Sequence, residues 1–463
     1  MRIVMLAGND WLDDSRIIRE AESLARHGHA VYVLCAGRVA EASSEHRAGV
    51  TYHRVPMGQP SLPVKARAVR VHFAIVLLGA SSVRGVITTI PAVLASILSL
   101  AVAALMCCVA PIERVLGRLV KRLTVWPRRL FRYLAQPFVH LDGLAARYLD
   151  TIVQLKPEVV HAHDAVTLSA GVLAARKVRC RFVYDSHELE TRTRYQGINR
   201  WTTYWVARYE KILSRRANAV VTVSDSIAGW LAREYGIERP VVLFNAPAGR
   251  SPVLTPAPPG EQLRTKLGLS ADTPLVVHVG WVTVERGLDL CVRALAELPA
   301  VHFAMVGPRH ADTETAVLQT AHELELEDRV HLVDPVPHDE VMRFISSADC
   351  SVIAIQNTSL NNNFCFPNKL LDSVLAGLPV AVSNLVELRC FVLEHQVGVV
   401  MDESDPRSIA AAIKTLLGQR EQYRPSAVKV SEIERRYGWA AQEQKLLRLY
   451  RTLVPSGEEP WIF

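Results

Sequence analysis

The stretch FCFPNKLLDSVLAGLPVAVS, from Phe364 to Ser383, places a proline, an amide and a cation directly before an apolar run with helical spacing. Pro367 fits the first turn of a helix, because its missing N–H would have no partner there. The free N–H groups near Asn368 to Leu370 would then bind an anion, and the helix dipole adds to this attraction. Lys369 adds a point charge for a phosphate group. The stretch predicts a phosphate site, the alternative being a capped helix with a surface lysine.

An acid follows one helical turn later in the same stretch. Asp372 lies four residues after Asn368, so the two side chains share one side of the predicted helix. A carboxylate in this position could accept hydrogen bonds from the two hydroxyl groups of a ribose. Phosphate and ribose sites one turn apart predict a nucleotide.

The segment HVGWVTVERGLDL is a second candidate anion site. Its strand ends at Gly280, and Arg286 and Gly287 precede the start of a helix. The planar guanidinium of Arg286 is suited to pairing with a diphosphate. The alternative is a solvated loop arginine.

Three histidines lie at the carboxyl ends of predicted strands. His187 ends the segment YDSHE, where an imidazole could bond a leaving or attacking oxygen near neutral pH; a histidine bonded to local backbone is the alternative. His161 and His163 alternate along VHAHD, so they point to one face. We expect these two to be cleft-wall or structural residues, and metal binding is the weaker hypothesis.

The elements that must position these residues alternate between strand and helix. A chain of 463 residues predicts two domains. The segment RIVMLAG, the helical pattern from Ser15 to His27 and AVYVLCA form a βαβ unit, and a second βα series follows the Pro-rich segment GRSPVLTPAPPG. We therefore expect an α/β fold with two doubly wound domains facing a cleft. The predicted bounds are 1–247 for the N-terminal domain, 248–272 for a linker, 273–429 for the C-terminal domain and 430–463 for a closing helix and tail.

The order of these motifs, VHAHD, YDSHE, VTVSD, NAP, VG…RGLD, VGP and PNK…D…AGLPV, resembles that of a retaining glycosyltransferase of the GT-B fold, family 4. The resemblance covers nearly all of the chain outside roughly residues 60–136. It implies two Rossmann-like domains, with the acceptor on the N-terminal one and a nucleotide diphosphate sugar on the C-terminal one. It also implies a metal-independent hexosyl transfer without a further cofactor, in line with a sequence that has no DxD motif.

The resemblance also implies roles for individual residues. Gly8 and Asn9 would approach the donor phosphate or the acceptor, and His187 would lie near the reacting sugar. Arg286 would contact the diphosphate, with Gly280 in the phosphate loop, and Asp372 would hold the ribose. The expected catalytic residues are His187, Arg286 and Lys369. The expected donor-binding residues are Gly8, Asn9, Gly280, Gly307, Pro308, Asn368, Leu370 and Asp372, with Gly307 and Pro308 beside the base.

Two positions depart from the family pattern. The family often has glutamates eight residues apart, and this chain has Phe364 and Asp372 there. A basic residue often follows the phosphate-loop glycine, and this chain has Trp281. Lys369 and Asn368 are expected to take over some of the missing contacts.

An uncharged run from Val86 to Ile112 is long enough to cross a bilayer, and the apolar segment Val71–Val83 precedes it. A single crossing would divide one domain, so an insertion at 71–112 must return to the side it left, as a hairpin or re-entrant element. Basic residues before it and in the flank 113–136 indicate that both ends are cytoplasmic and attract anionic headgroups. The alternatives are a hairpin buried against the protein and an oligomer contact.

These features predict a transferase at the cytoplasmic face of the cell membrane that acts on a lipid-linked acceptor, such as a polyprenyl diphosphate oligosaccharide, in polysaccharide or glycolipid synthesis. A sugar-nucleotide epimerase and a catalytically silent scaffold subunit are the alternatives. The formal charge of +7 comes without the interleaved basic and aromatic residues of a nucleic-acid-binding module, so nucleic acid is not an expected partner. The eight scattered cysteines show no zinc-ligand spacing.

Overall fold

The computed structural model describes residues 1–10, 14–37, 42–56, 144–193, 200–247, 249–255 and 262–454. The predicted insertion at 71–112 and its basic flank at 113–136 lie outside these residues. Among the helices that are described, none combines the length and the apolar character needed to cross a bilayer. The membrane hypothesis for 71–112 therefore stays a prediction.

The N-terminal domain is built on an eight-stranded sheet. Its strands are β1 (Arg2–Leu6), β2 (Ala30–Gly37), β3 (Ser43–Arg47), β4 (Val50–Pro56), β5 (Val159–His163), β6 (Arg181–Ser186), β7 (Ala219–Thr222) and β8 (Val241–Val242). The order is β3-β4-β2-β1-β5-β6-β7-β8, and all neighbours are parallel except the edge pair β3–β4. The near-continuous apolar run of β1 is typical of a strand covered on both faces.

The C-terminal domain has a six-stranded parallel sheet. Its strands are β9 (Leu275–Val279), β10 (His302–Val306), β11 (Val330–Val333), β12 (Cys350–Ile353), β13 (Val380–Ser383) and β14 (Gly398–Met401). The order β11-β10-β9-β12-β13-β14 is that of a Rossmann fold, whose ligands bind beyond the carboxyl ends of the strands at the switch point. In this sheet the switch point lies between β9 and β12.

Helices cover both faces of each sheet. Those of the N-terminal half are α1 (Ser15–Arg26), α2 (Ala145–Leu155), α3 (Ala165–Val178), α4 (Arg200–Ser214) and α5 (Asp225–Tyr235). Those that follow are α6 (Leu263–Lys266), α7 (Leu288–Ala294), α8 (Ala311–Glu323), α9 (Val341–Ile345), α10 (Leu360–Phe364), α11 (Asn368–Leu375), α12 (Val386–His395), α13 (Pro406–Gly418), α14 (Arg420–Tyr423), α15 (Ala427–Tyr437) and α16 (Trp439–Leu453). Side-chain caps set several starts; for example, Asp14 Oδ1 accepts from the N–H groups of Arg16 and Ile17 at 3.0 and 3.2 Å.

The end of the chain differs from the single closing helix predicted within 430–463. Two helices occur there, and Gly438 separates them in an extended conformation. α15 packs on the C-terminal domain, whereas α16 returns to the N-terminal one, where Leu446 and Tyr450 join the core beneath β1 and β2. The Trp439 indole N–H donates to Ser23 Oγ of α1 at 3.0 Å.

Two further features were not predicted. The β3–β4 pair extends the N-terminal sheet. The residues of β3 are all exposed, and their sequence shows no alternation of apolar and polar residues that would predict a strand. The predicted linker also contains α6, whose Leu263 is buried in the core of the C-terminal domain. This end of the linker therefore packs with that domain.

Candidate active site

The two domains enclose a cavity of about 680 Å³ between the carboxyl ends of their strands. The N-terminal domain lines it with residues that follow β6 and begin α1, including His187, Glu188 and Asp14. The C-terminal domain lines it with residues that follow β9 and β10 and begin α11. This is where the topology of a doubly wound sheet places a ligand.

Most of the site residues predicted from the sequence lie at this cavity. Their roles remain predictions. The predicted residues on its wall are His187, Gly280, Arg286, Gly307, Pro308, Asn368, Lys369 and Asp372. Gly8, Asn9 and Leu370 are described in the structure but are not among the residues that line it.

These three residues have structural contacts instead. A Cβ on Gly8 would lie 2.6 Å from Cγ1 of Val166, so Gly8 is needed for packing against α3. The Asn9 carbonyl accepts from the Ala36 N–H at 3.1 Å. Leu370 is fully buried, and its N–H donates to the Pro367 carbonyl at 3.0 Å. The expectation that the Leu370 N–H is free for an anion was therefore wrong.

The N-terminus of α11 still faces the cavity. Pro367 has an extended backbone and is the N-cap residue, directly before the helix. The expectation that it lies within the first turn was therefore wrong. The N–H groups of Asn368 and Lys369 lie in the first turn, where a helix has no internal acceptors for them. With Leu370 excluded, these two N–H groups and the positive end of the helix dipole are the groups at this helix end that suit an anion.

Two cations lie beside this helix end. Lys369 is only 8% exposed, and its Nζ is 3.2 Å from Nε2 of His278. Burial and the neighbouring Arg286 lower the pKa of Lys369 well below its usual value. Arg286 ends a single 3-10 turn, and its buried Nε has no hydrogen-bond partner among the described residues. Bringing these two cations together costs free energy that a bound anion would recover.

The backbone leaves room for a ligand at the same place. Gly280 has a φ of 102°, and a Cβ there would lie 3.4 Å from Lys369 Nζ. Gly307 has a φ of 149°, and a Cβ there would lie 2.3 Å from the Gly280 carbonyl oxygen. Only glycine permits this close approach of the ends of β9 and β10.

Asp372 is the acid of this wall. It is 4% exposed, and its Oδ1 has no hydrogen-bond partner among the described residues. Burial raises the pKa of Asp372 to about 7, although the positive charges of Arg19 and Lys369 act in the opposite direction. Arg19 belongs to α1, so this carboxylate interacts with a cation of the other domain. A buried acceptor that lacks a donor is suited to a ligand hydroxyl.

His187 lies on the opposite wall among carboxylates. Its Nδ1 is 3.5 Å from Asp164 Oδ2 and 3.7 Å from Asp14 Oδ2, and its Nε2 is 3.5 Å from Asp185 Oδ2. Burial alone would favour the neutral ring, but Asp164, Asp185 and Asp14 outweigh it and raise the pKa of His187 to about 10. These carboxylates favour the protonated ring, and both of its nitrogens face protein carboxylates at 3.5–3.7 Å.

A buried charged layer supports His187 from below. Arg16 makes a bidentate pair with Asp185 and also contacts Glu20 at 3.0 Å. His161 and His163 stack at 4.3 Å and are fully buried, so they are structural residues and do not form the cleft wall. Ligand atoms of Glu20, His161, His163 and Asp185 lie within 4.8 Å of one another. The Arg16 guanidinium already supplies a positive charge to both carboxylates of this group.

The sequence did not single out several residues of the site. Asp14, Asp164 and Glu188 surround His187, and Asn361 links the domains by accepting from the Leu189 N–H at 2.8 Å and contacting Glu188 Oε2 at 3.3 Å. The acid that ends VHAHD, at the carboxyl end of β5, was the available signal for Asp164. Nothing local distinguished Asp14 from an ordinary helix cap.

Phe364 occupies the position where the family often has an acid. It packs against an apolar cluster of the N-terminal domain that contains Leu189, Ile227 and Trp230, and its carbonyl accepts from Ser224 Oγ at 2.7 Å. It does not belong to the residues that line the cavity. Trp281, the second departure, does line the cavity and is 53% exposed.

Comparison with known proteins agrees with this architecture. The family model Glycosyltransferase Family 4 matches residues 102–246, and the model Glycosyl transferases group 1 matches residues 273–419. D-inositol 3-phosphate glycosyltransferase of Thermobispora bispora is 27% identical over 364 residues, which cover 72% of this chain and 80% of that protein. The enzyme of the same name from Xylanimonas cellulosilytica is 26% identical, with 63% of this chain and 71% of that protein covered.

Solved structures share the fold at low sequence identity. Sucrose-phosphate synthase from Thermosynechococcus elongatus has a TM-score of 0.66 at 16% identity, covering 98% of this chain and 99% of that one. Anabaena HepE in complex with UDP has a TM-score of 0.63 at 16% identity, covering 98% and 100%. The two family models together match more than half of the residues. The chain is thus a nucleotide-sugar-dependent glycosyltransferase, and it belongs to family 4 with the GT-B fold.

Proposed function

We propose that this glycosyltransferase moves a sugar from a nucleotide diphosphate sugar to a lipid-linked acceptor, with retention of the anomeric configuration, at the cytoplasmic face of the cell membrane. The observation that carries the donor assignment is the group formed by Arg286, Lys369, the N-terminus of α11 and the unpartnered Asp372 in one cavity. The UDP complex of the structural neighbour HepE makes uridine diphosphate sugars the first donors to test.

The donor occupies the C-terminal wall in this proposal. Arg286, Lys369 and the first N–H groups of α11 hold the diphosphate, and Asp372 accepts from the ribose hydroxyls. Preorganised cations and N–H groups stabilise the negative charge that develops on the departing diphosphate. Gly307 and Pro308 follow β10 and lie beside the base.

Transfer breaks the bond between the anomeric carbon of the sugar and the diphosphate oxygen, whose electron pair leaves with the diphosphate. The acceptor hydroxyl oxygen bonds the same carbon on the same face, and its proton passes to the departing phosphate oxygen. Carboxylates hold the ring of His187 through both of its nitrogens, so in this proposal His187 contributes positive charge beside the reacting sugar, and the departing phosphate oxygen takes the acceptor proton.

The lipid-linked acceptor is supported by the uncharged run from Val86 to Ile112 and the basic residues on either side of it. An acceptor with a lipid anchor would be presented at the membrane surface to which such a segment binds. The second candidate is a soluble phosphorylated acceptor, which is supported by the two relatives named for D-inositol 3-phosphate.

The test uses the full chain, purified in detergent, with uridine, guanosine and adenosine diphosphate sugars radiolabelled in the sugar. Each donor is incubated with membrane lipid extract or with D-inositol 3-phosphate, in the presence and absence of a chelator. We expect label in the lipid fraction from one donor, lost in Asp372→Ala and kept in the exposed control Asp272→Asn. Label only in the aqueous product would refute the lipid-linked acceptor and establish the second candidate.

A further inference from the structure

Asn245 begins the motif NAP after β8, and it lines the cavity close to the junction of the two domains. Its side chain is partly buried. Its neighbours Phe244 and Ala246 are buried in the core of the C-terminal domain, so packing fixes the backbone on both sides of Asn245. The amide of Asn245 is therefore a polar group with a defined place on the cavity wall.

An arginine behind the wall fixes the orientation of this amide. Arg19 Nη2 donates to Asn245 Oδ1. A guanidinium has N–H donors and no acceptor, so the amide must turn its oxygen toward Arg19 and its N–H₂ away from it. The N–H₂ of Asn245 makes no hydrogen bond with any residue that the structure describes. Its two N–H donors are therefore available to a group in the cavity.

Arg19 has little freedom to move. It is 8% exposed, its Nη2 also donates to Ser15 Oγ at 3.0 Å, and its guanidinium lies 5.6 Å from the centre of the Trp439 ring. Burial lowers the pKa of Arg19 to about 10, which leaves it charged at neutral pH. The guanidinium is thus held in one place behind Ser15 and Asn245, which both line the cavity.

The same cation acts on the acid assigned to the ribose. Burial raises the pKa of Asp372, and the charge of Arg19 is the largest of the effects that oppose this rise. Asp372 lines the cavity from the C-terminal domain, and its buried Oδ1 has no partner among the described residues. One cation therefore connects an unpartnered donor, the Asn245 N–H₂, with an unpartnered acceptor on the other domain.

A donor and an acceptor that both lack partners are together suited to a hydroxyl group. A hydroxyl donates one hydrogen bond and accepts others through its lone pairs, whereas an ionised phosphate oxygen only accepts. A phosphate beside Asp372 would leave the carboxylate without a donor and would repel it. The diol of a ribose satisfies both groups at once.

We propose that Asn245 is a further residue of the donor site, which donates its N–H₂ to a ribose hydroxyl that in turn donates to Asp372. Arg19 is the positioning residue, because it keeps the amide turned toward the ligand. This inference rests on the proposed function, which assigns Asp372 to the ribose. The ribose is then held by both domains at once.

The test is calorimetry on the full chain with UDP, 2′-deoxy-UDP, 3′-deoxy-UDP and uridine. The variants are Asn245→Ala and Asn245→Asp, of which the second keeps an oxygen for Arg19 and loses only the N–H₂. The chain offers a matched control, since Asn384 Oδ1 accepts from Arg389 Nη1 at 3.2 Å on an exposed surface that does not line the cavity. The control variants are Asn384→Ala and Asn384→Asp.

We expect Asn245→Ala to raise the Kd for UDP and for uridine by a similar factor of roughly 3 to 10, because both ligands contain the ribose. One of the two deoxy compounds lacks the contacted hydroxyl. For that compound, the factor by which each Asn245 variant weakens binding should be at least about threefold smaller than for UDP. The Asn384 variants should bind all four ligands as the wild type does.

Arg19→Met and Arg19→Lys test the positioning role. Methionine keeps apolar volume beside Trp439 but leaves the amide of Asn245 able to turn, whereas lysine again offers only N–H donors. We expect Arg19→Lys to bind UDP at least about threefold more tightly than Arg19→Met does, and to do so less for the deoxy compound. A purely structural effect would not depend on a ribose hydroxyl. Arg389→Met is the control.

Losses that simply add for both deoxy compounds, in any Asn245 variant that folds, overturn the inference. So does a loss that Asn245→Ala shows for UDP and not for uridine, since the contact would then lie on the diphosphate. Equal binding of UDP by Arg19→Met and Arg19→Lys refutes the positioning role. Intact binding of UDP by the wild type leaves the donor site standing in each of these cases, whereas a wild type that binds no nucleoside diphosphate refutes the proposed function and this inference with it.

Discussion

Replacing Asp372 by asparagine tests the assignment of the nucleotide site. The substitution keeps the shape of the side chain but replaces one carboxylate oxygen with a donor N–H₂. In the free protein, Asp372 Oδ1 has no partner among the described residues, so the substitution breaks no hydrogen bond made by that oxygen. We therefore expect UDP binding to change far more than folding does.

The expected size follows from the burial of this carboxylate. A hydrogen bond to a buried charged group contributes about 1.5–3 kcal/mol. Losing one such bond to a ribose hydroxyl should raise the Kd for UDP by roughly 10- to 150-fold, because about 1.4 kcal/mol corresponds to tenfold. The melting temperature of the variant at pH 8 should be no lower than that of the wild type, because burial already disfavours the ionised form of Asp372 in the folded protein.

The effect should also depend on pH. The pKa of Asp372 is raised to about 7 in the free protein, so its ionised fraction increases as the pH rises through that value. From pH 6 to pH 8 this fraction grows about tenfold. The ratio of the variant Kd to the wild-type Kd should therefore increase by nearly tenfold over this range. Dividing by the variant Kd removes the pH dependence that all other titrating groups contribute.

Calorimetry completes a double-mutant cycle when UDP and 2′-deoxy-UDP are both titrated into the wild type and Asp372→Asn. The variant Asp272→Asn is the control. The deoxy compound should bind the wild type more weakly than UDP does but bind the variant nearly as well as UDP. If the losses of binding free energy caused by the substitution and by the missing hydroxyl simply add, Asp372 does not contact the ribose. A flat pH dependence of the Kd ratio would refute the raised pKa.

Three further outcomes are expected. Lys369→Met should weaken UDP binding by at least about tenfold but change uridine binding little, since Lys369 contacts the diphosphate in this proposal. Calorimetry with UDP and with uridine measures both affinities. NMR titration should place the pKa of His187 at about 10 in the wild type and lower in Asp164→Asn, since the largest favourable charge is removed. An unchanged midpoint would contradict that pairing. Gly171→Ala should destabilise the protein by about 1–3 kcal/mol, because its Cβ would lie 2.3 Å from Phe182. Gly229→Ala, on the more open helix α5, should stabilise it by about 0.5–1 kcal/mol, and denaturant unfolding compares the two.

Much of the architecture is encoded locally and could be inferred without coordinates. Continuous apolar strands, helical spacing and glycines at the turns are short-range patterns, and they led to two doubly wound domains. Residues that directly follow strands, such as His187, Gly280 and Gly307, were found because the carboxyl ends of parallel strands meet at one edge. The start of α11 was found because proline, asparagine and lysine before an apolar run are the local signals of a helix N-terminus.

Other features came from packing between distant segments, which no local pattern carries. Asp14 and Asp164 are 150 residues apart in the sequence, yet the cap of α1 and the ends of β5 and β6 bring them within 4 Å of His187 and thereby favour the protonated ring. Arg19 and Asp372 interact only because the domains face each other. The return of α16 to the N-terminal domain depends on the extended Gly438. Charge interactions and helix docking of this kind depend on distance in space, so they were decided by the tertiary structure alone.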